Sequence, residues 1–348
     1  MNISNFLGWD IGGAHLKIAN VRNNGVILSV EQYPTPLWKG LSILKNTFRS
    51  AIKKIPNEGQ SHALTMTAEL SDIFRNRQEG VNSIIKLCHE IFGRNIAFYT
   101  MKHGLKKINK KEIDFNQIAS ANWHASSTYV ASLIDSGLFI DVGSTTTDII
   151  PFYEKRIRAR GINDQSRLRY DELIYTGVIR TPIMTLSSKV IFNGELQNIV
   201  NENFATTADI YRILGYLNEF DDLMETADGE DKSIPSSIRR LARVLGTDSN
   251  ISHNEKHWHD LAKYFHEAQL EVLTNAIEKV LLTLPKKKHV LVSAGVGHFL
   301  VKIIAKRLNI PCLNFSELFD CNLSSRHNSN ICAPAVAIAH LNRLSQIK

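Results

Sequence analysis

Two stretches of the chain place an aspartate, a glycine and a run of small or hydroxyl-bearing residues at the end of an apolar segment. Residues 7–19 read LGWDIGGAHLKIA and residues 137–150 read GLFIDVGSTTTDII. The first supplies Asp10, Gly12 and Gly13; the second supplies Asp141, Gly143, Ser144, Thr145, Thr146, Thr147 and Asp148. Each is an apolar run, then Asp-x-Gly, then a second apolar run, which is the pattern of strand, turn and strand. Glycine permits φ > 0 and lets a ligand come close to the backbone. A turn of this kind aims N–H groups and hydroxyls at one spot and makes a nest for phosphate oxygens. A carboxylate beside it can hold Mg²⁺ directly or through water, so Asp10 and Asp141 are the candidate metal ligands. One such hairpin could be an ordinary turn. The repeat, with Asp-x-Gly at the same place in both copies, predicts a cleft that grips a phosphorylated small molecule from two sides.

The elements needed to position these residues can be traced along the chain. Residues 5–33 read as three antiparallel strands, with Asn23-Asn24-Gly25 as a turn. Helical spacing of apolar residues runs from Trp38 to Ile55, from Gly80 to Phe92 and from Ser120 to Ser132. Strands are predicted at His62–Leu70 and Ile96–Thr100. After the second hairpin, Tyr170–Gly177 carries turn and helix signals. Helices are predicted at Thr206–Leu217, Ser236–Val244 and Trp258–Leu282, with a polar surface loop at Glu225–Ser236. A strand at His289–Ser293, a glycine turn at Gly295-Val296-Gly297 and helices at Phe299–Leu308 and Ala333–Leu344 complete the chain, with Pro334 in the first turn of the last helix. Strand-rich starts followed by helices in each half predict an α/β protein of two lobes. The first lobe is 1–135, joined by the C-terminal helix 333–348, and the second is 136–332 with a helical insertion.

Bulk properties narrow the class. A chain of 348 residues with 43% hydrophobic and 22% charged content has room for two soluble domains. Its apolar runs are strand-length, and the start MNISNFLGWD has no basic segment followed by an apolar one, so neither a membrane span nor a signal peptide is expected. The four cysteines, Cys88, Cys312, Cys321 and Cys332, have no C-x-x-C spacing and read as reduced thiols of a cytoplasmic protein. The net charge of +7 lies partly in Lys102, Lys106, Lys107, Lys110 and Lys111. Without interleaved aromatics these lysines read as a solvated face rather than a nucleic-acid site. The field they contribute would favour an anionic substrate. His253, His257 and His259 lack the spacing and the neighbouring acid or thiols of a zinc site.

The two hairpins, together with the late segment VLVSAGVGHFL at 290–300, resemble the actin/hexokinase/heat-shock-chaperone ATPase superfamily, a pair of ribonuclease H-like lobes around a cleft. A closer resemblance spans nearly the whole chain. The segments DIGGAHLKIA, TMTAEL, SANWHA, DVGSTTTDI, ELIYTGVIRTP, FATTADIYRILG, TADG and CAPAVAIA are similar to a tetrahydromethanopterin-linked branch of the hydantoinase/oxoprolinase-like group. Archaeal members of that branch are enzymes of methanofuran biosynthesis. They join an aminomethyl-furanmethanol diphosphate to γ-glutamyltyramine and release diphosphate. The resemblance implies a similar transferase here, with Mg²⁺ and without ATP hydrolysis. A furylmethyl diphosphate ionises readily, so the enzyme's task would be to stabilise the leaving diphosphate and to position the phenol.

On that reading Asp10 orients a metal or a water, and Gly12, Gly13 and Gly143 bring amides to the diphosphate. Ser144, Thr145, Thr146 and Thr147 donate hydroxyls, although a threonine run also suits a plain strand. Asp148 faces the cleft or closes the turn. Lys17 neutralises phosphate charge or lies on the outer strand face. Thr67 and Glu69 sit where a strand meets a loop, and Glu69 is the candidate base on the phenol or binder of the substrate amine, unless it is a surface carboxylate. Asn122 and Trp123 bind the aromatic substrate, or Trp123 belongs to the core. Tyr175, Thr176, Gly177, Arg180 and Thr181 reach the ligand, with Arg180 as a phosphate clamp. Gly295 and Gly297 line the far end of the pocket, and His298 starts a helix. The expected partners are small molecules, with neither nucleic acid nor membrane, and a homodimer is a possible assembly. Two other readings use the same hairpins: an ATP-dependent kinase or oxoprolinase-type hydrolase, and a non-catalytic nucleotide sensor.

Overall fold

A computed structural model describes residues 5–55, 59–108, 114–249 and 255–347. Lys110, Lys111 and His253 lie outside them. The chain divides into two compact units: Met1–Phe139 with Phe152–Ala159 and Leu313–Lys348, and Ile140–Pro151 with Arg160–Cys312.

The first unit is built on a six-stranded sheet of order β3-β2-β1-β4-β5-β6. Its strands are β1 (Asn5–Ile11), β2 (His15–Arg22), β3 (Ile27–Pro34), β4 (Gln60–Met66), β5 (Ala97–Thr100) and β6 (Gly104–Lys106). The three expected N-terminal strands are antiparallel neighbours, whereas β4 runs parallel to β1 and β5 parallel to β4. Such parallel steps need crossovers. The helices α1 (Leu41–Ile52) and α2 (Arg77–Phe92) supply them. The helix predicted from Trp38 begins later, because a 3₁₀ turn at Leu37–Lys39 ends at Gly40, whose φ is 128°. In α2 the Asn76 side chain caps the first turn by accepting from Glu79 N, and Gly93 with φ 73° ends it.

Alternation along β1 sends its residues to two faces. On one, Trp9 is fully buried and meets Phe48 of α1 and Phe92 of α2, with ring centroids 5.2 Å away in each case. Burial of one tryptophan contributes about 4–6 kcal/mol of transfer free energy. On the other face lies Gly8, where a Cβ would stand 2.1 Å from Ala335 O and 2.4 Å from Ala339 N. Those atoms belong to the C-terminal helix. The glycine and the alanine-rich run APAVAIA therefore bring strand and helix backbones into direct contact. A further helix, α3 (Asn122–Leu133), also belongs to this unit.

The second sheet has the order β10-β8-β7-β13-β14, with β9 beside β8. The second expected hairpin is present as β7 (Ser136–Val142) and β8 (Thr147–Tyr153). Then follow β9 (Arg156–Ile157), α4 (Asp164–Arg169) and β10 (Leu173–Ile174). The 170–177 region forms a short strand paired with β8 rather than a helix, because the helical turn comes earlier, started by the Asn163 cap of α4. A separate hairpin, β11 (Lys189–Phe192) and β12 (Glu195–Asn198), closes through Asn193-Gly194, both with positive φ. The helical insertion comprises α5 (Thr207–Ile213), α6 (Ile234–Val244) and α7 (Glu255–Leu281). The first of these is shorter than predicted, because Gly215 with φ 73° turns the chain away. Next come β13 (Val290–Ala294), α8 (His298–Leu308), β14 (Cys312–Asn314), α9 (Leu323–Ile331) and α10 (Ala333–Ile347). No described helix is long and apolar enough to cross a membrane.

Candidate functional site

In the first unit the candidate residues gather at the carboxyl ends of the adjacent parallel strands β1 and β4. This is the end at which open α/β sheets bind ligands. Asp10 is the penultimate residue of β1, buried, and its register partner across the hairpin is Lys17. The Lys17 ammonium lies 3.9 Å from Asp10 Oδ2 and donates to Ile331 O, the last carbonyl of α9, at 3.3 Å. Lys17 thus faces inward, held between a carboxylate and the negative end of a helix. The turn is closed by Gly12 N donating to His15 O at 2.9 Å. At Gly13 a Cβ would meet nothing within 4 Å, so the backbone there borders open space.

β4 ends beside this turn, where Thr67 N donates to Ile11 O at 2.9 Å. A 3₁₀ turn (Ala68–Leu70) then carries Glu69 inward, and its carboxyl is buried rather than on the surface. Ser120 donates to Glu69 Oε1 at 2.8 Å from a left-handed backbone, with φ 49°. Gly80 of α2 makes room for the turn: a Cβ there would lie 2.6 Å from Glu69 O. Burial pushes the Glu69 carboxyl above the usual carboxylate range, against the pull of the Ser120 hydrogen bond and the positive charge of Arg77. Trp123 is buried in α3, and Asn122 Oδ1 accepts from Trp123 N.

In the second unit the end of β7 meets the late glycine turn. A Cβ on Gly295 would stand 2.3 Å from Val142 O and 2.4 Å from Asp141 Oδ1, and one on Gly297 would stand 2.5 Å from Val142 Cγ1. Gly297 N donates to Val142 O at 2.8 Å. The two glycines let the turn lie directly on the strand that carries Asp141. Gly143 N donates to Thr146 O at 2.9 Å and closes the hairpin. The segment after β10 wraps this turn: Val178 N donates to Gly143 O, and Ile179 N and Arg180 N both donate to Ser144 O. Gly177 permits the approach, since its Cβ would lie 2.5 Å from Ser144 C. Gln269 and Thr207 fix the segment through the Gly177 carbonyl.

The hydroxyl run divides by use. Ser144 and Thr145 lie 3.4 Å apart, oxygen to oxygen, and are partly exposed along with Thr146. Thr147, expected to donate to a ligand, is buried and donates instead to Thr176 O at 2.6 Å. Asp148, a candidate for the reacting centre, accepts from the buried Arg167 guanidinium at 2.5 Å. Its charge is taken up by a cation that also holds Glu172 O, and nothing in the sequence marked Arg167 for this. Tyr175 is exposed, whereas Thr176 and Thr181 are buried, and Thr181 Oγ1 accepts from Gly177 N. The Arg180 guanidinium is exposed and makes no ion pair or side-chain hydrogen bond among the described residues. His298 begins α8.

A parallel-stranded sheet extended by an antiparallel hairpin, with an Asp-x-Gly turn in each of two units, defines the class: an α/β protein of actin/hexokinase-like fold. Solved structures agree at the level of fold. A ROK family glucokinase from Streptomyces griseus, in complex with glucose and AMPPNP, aligns at a TM-score of 0.50 with 13% identity over 97% of this chain and 98% of its own. A nucleotide-free acetone carboxylase aligns at 0.51 with 9% identity over 97% of this chain and 70% of its own. The family model for Hydantoinase/oxoprolinase matches residues 60–343, and the chain belongs to that family. Within it, the chain is 30% identical, over 96% of each sequence, to the (4-{4-[2-(γ-L-glutamylamino)ethyl]phenoxymethyl}furan-2-yl)methanamine synthase of Methanocaldococcus jannaschii. It is 34% identical to the protein of the same name from Methanococcus vannielii over 44% of this chain and 68% of that one.

Proposed function

We propose that the chain is an enzyme of methanofuran-type cofactor biosynthesis. It joins an aminomethyl-furanmethanol diphosphate to a γ-glutamyltyramine-type phenol and releases diphosphate. The observation that carries this reading is the similarity to the Methanocaldococcus jannaschii synthase, 30% identity over 96% of each sequence.

In the reaction the furylmethyl C–O bond to the diphosphate breaks, the phenol oxygen bonds to the freed methylene carbon, and the phenol proton leaves. In the second unit the partly exposed hydroxyls of Ser144, Thr145 and Thr146 take the diphosphate oxygens as negative charge builds on them. Glu69 in its ionised form accepts the phenol proton. A carboxyl whose affinity for protons is raised by burial is a better base than a solvated one. Among the described residues no group of three or more His, Cys, Asp or Glu side chains is gathered for a metal. A single carboxylate per turn fits Mg²⁺, which keeps most of its waters and takes substrate phosphate oxygens beside one or two protein ligands. Asp10 in the first unit, or Asp141 in the second, would hold it. When bound, it would supply positive charge to the leaving diphosphate. ATP takes no part.

The test is turnover by the purified protein with the furylmethyl diphosphate, γ-glutamyltyramine and Mg²⁺, product being read by mass spectrometry. The expected result is ether product and free diphosphate without ATP, lost on chelation and restored by Mg²⁺. ATP consumption with a small-molecule acceptor, and no ether, would replace this reading with a kinase or hydrolase.

A further inference from the structure

The segment that follows β10 runs along the second hairpin and leaves one aromatic side chain outside. Leu173 lies opposite Asp148 and Ile174 opposite Thr147 in an antiparallel register. Farther on, Val178 N donates to Gly143 O at 3.1 Å, and Ile179 N and Arg180 N donate to Ser144 O. Tyr175, Thr176 and Gly177 therefore pass alongside the turn that carries the partly exposed Ser144, Thr145 and Thr146. Continued by one residue, the register sets Tyr175 beside Thr146. Residues directly opposed in such a pair have their Cβ atoms about 4.5–5.5 Å apart. Leu173 and the residues from Thr176 to Ile179 are buried, whereas Tyr175 is 59% exposed.

The backbone that carries this ring is fixed by buried side chains. Thr147 donates to Thr176 O at 2.6 Å, and Thr207 and Gln269 donate to Gly177 O at 2.9 and 2.8 Å. Gly177 N donates to Thr181 Oγ1 at 2.8 Å. The segment is a rigid mount of the kind a positioned group needs. What it presents beside the hydroxyl turn is an exposed, uncharged aromatic ring.

Under the proposed function, on which this inference rests, those hydroxyls hold the diphosphate of the donor. The methylene carbon is one bond from the oxygen that departs, so the furan lies close to the turn. As that C–O bond breaks, its electron pair leaves on the diphosphate, and positive charge remains on the methylene carbon and the furan. The phenol oxygen then supplies the pair for the new C–O bond and gives up its proton. The face of an aromatic ring carries negative charge density and attracts a cation within about 6 Å of its centre. A carboxylate in that position would also repel the diphosphate; a ring face does not. We infer that Tyr175 is a catalytic residue whose ring packs on the furylmethyl group and stabilises the cation formed as diphosphate departs. The hydroxyl turn takes the anion and Tyr175 takes the cation.

Turnover with the furylmethyl diphosphate and γ-glutamyltyramine is measured for the wild type, Tyr175→Phe and Tyr175→Leu. Calorimetry runs beside it with inorganic pyrophosphate and with a donor analogue in which CH₂ replaces the departing oxygen, so that it cannot ionise. Tyr175→Leu should lower kcat about tenfold or more, weaken the analogue severalfold and leave pyrophosphate binding unchanged. Tyr175→Phe keeps the ring and should retain most of the wild-type kcat, and both variants should melt with the wild type. A wild-type kcat in Tyr175→Leu would overturn the inference. So would a Tyr175→Phe as slow as Tyr175→Leu, which would assign the effect to the hydroxyl, or a loss of pyrophosphate binding in Tyr175→Leu, which would make the ring a support of the turn. Ether formation by the wild type alongside any of these results would leave the transferase reading standing. Without ether from the wild type that reading falls. The ring then survives as the seat of an arylmethyl diphosphate if the wild type binds the analogue more tightly than pyrophosphate and Tyr175→Leu loses that advantage, and it falls too if there is none.

Discussion

Glu69 shows how local packing sets the state of a single side chain. Its carboxyl is buried, receives one hydrogen bond from Ser120 and sits on a turn that Gly80 admits. Burial disfavours the charged form and raises the proton affinity in the folded state. From the ordinary carboxylate range up to that raised value, the folded protein holds a proton that the unfolded chain has released. Stability therefore falls as pH rises through this window. Glu69→Gln has no proton to lose, so its melting temperature relative to the wild type should rise as pH goes from 4 to 8. A difference that stays flat over that range would mean the carboxyl is ionised when folded. Turnover makes the separate test: the glutamine keeps the shape but accepts no proton, and kcat should drop by about 10²–10³-fold with folding intact. The sequence placed Glu69 at a strand end but gave no sign of Ser120, because a serine held at positive φ by its surroundings leaves no local pattern.

At the scale of elements, the glycines sort into those that admit another backbone and those that border open space. Gly8 and Gly295 are of the first kind, with prospective Cβ atoms 2.1 Å from Ala335 O and 2.3 Å from Val142 O, and Gly295 also has φ 81°. Alanine at either should cost more than about 3 kcal/mol, since the obstruction is backbone and has no rotamer to escape into. Gly13 is of the second kind. Gly13→Ala should change stability by less than about 1 kcal/mol and weaken inorganic pyrophosphate binding severalfold by covering the turn. Urea unfolding and calorimetry on the three variants would check this, and a Gly13→Ala protein as unstable as Gly8→Ala would show that the turn is packed rather than open. The same distinction explains what the sequence revealed. The hairpins, the turn at Asn23-Asn24-Gly25 and the long helices were legible from period and turn chemistry. The β11–β12 hairpin turns on an Asn-Gly pair of the same type at 193–194. The contacts of Gly295 and Gly297 with β7 are not announced by local pattern. Asp148 and Thr147 belong to the same class, since their partners Arg167 and Thr176 lie 19 and 29 residues away and no local spacing announces them.

The molecule as a whole combines a widely shared fold with an uneven distribution of buried titratable groups. The fold leaves chemistry open, since an actin/hexokinase-like frame serves many reactions. The buried histidines bear on how the two units withstand acid. In the first unit, burial lowers His62 to about 4 and His340 to about 3. His62 accepts from Trp9 Nε1 in the main core, and His340 stacks on Tyr129 with centroids 4.8 Å apart. Both must be neutral in the folded state. As pH falls below the ordinary histidine value of about 6.5, the unfolded chain takes up protons that the folded chain refuses, and stability is lost progressively down to the lowered values. At about 1.4 kcal/mol per pH unit for each group, the two together remove several kcal/mol between pH 6.5 and 4, a large part of the stability of an ordinary domain. Among the described residues the second unit holds one comparable group, His266, also lowered by burial, with the opposing charges of Glu267 and Arg307 beside it. The first unit should therefore yield first in acid. Pepsin digestion from pH 5.5 down to pH 3.5, with fragments identified by mass spectrometry, should show initial cuts within residues 5–139 while the segment 160–312 persists. His340→Leu should move the onset of those cuts to lower pH by about half a unit, because the variant removes a proton site from the unfolded chain at the modest cost of one ring stack. Simultaneous cutting of both segments, or an onset indifferent to His340, would mean that acid stability is governed elsewhere.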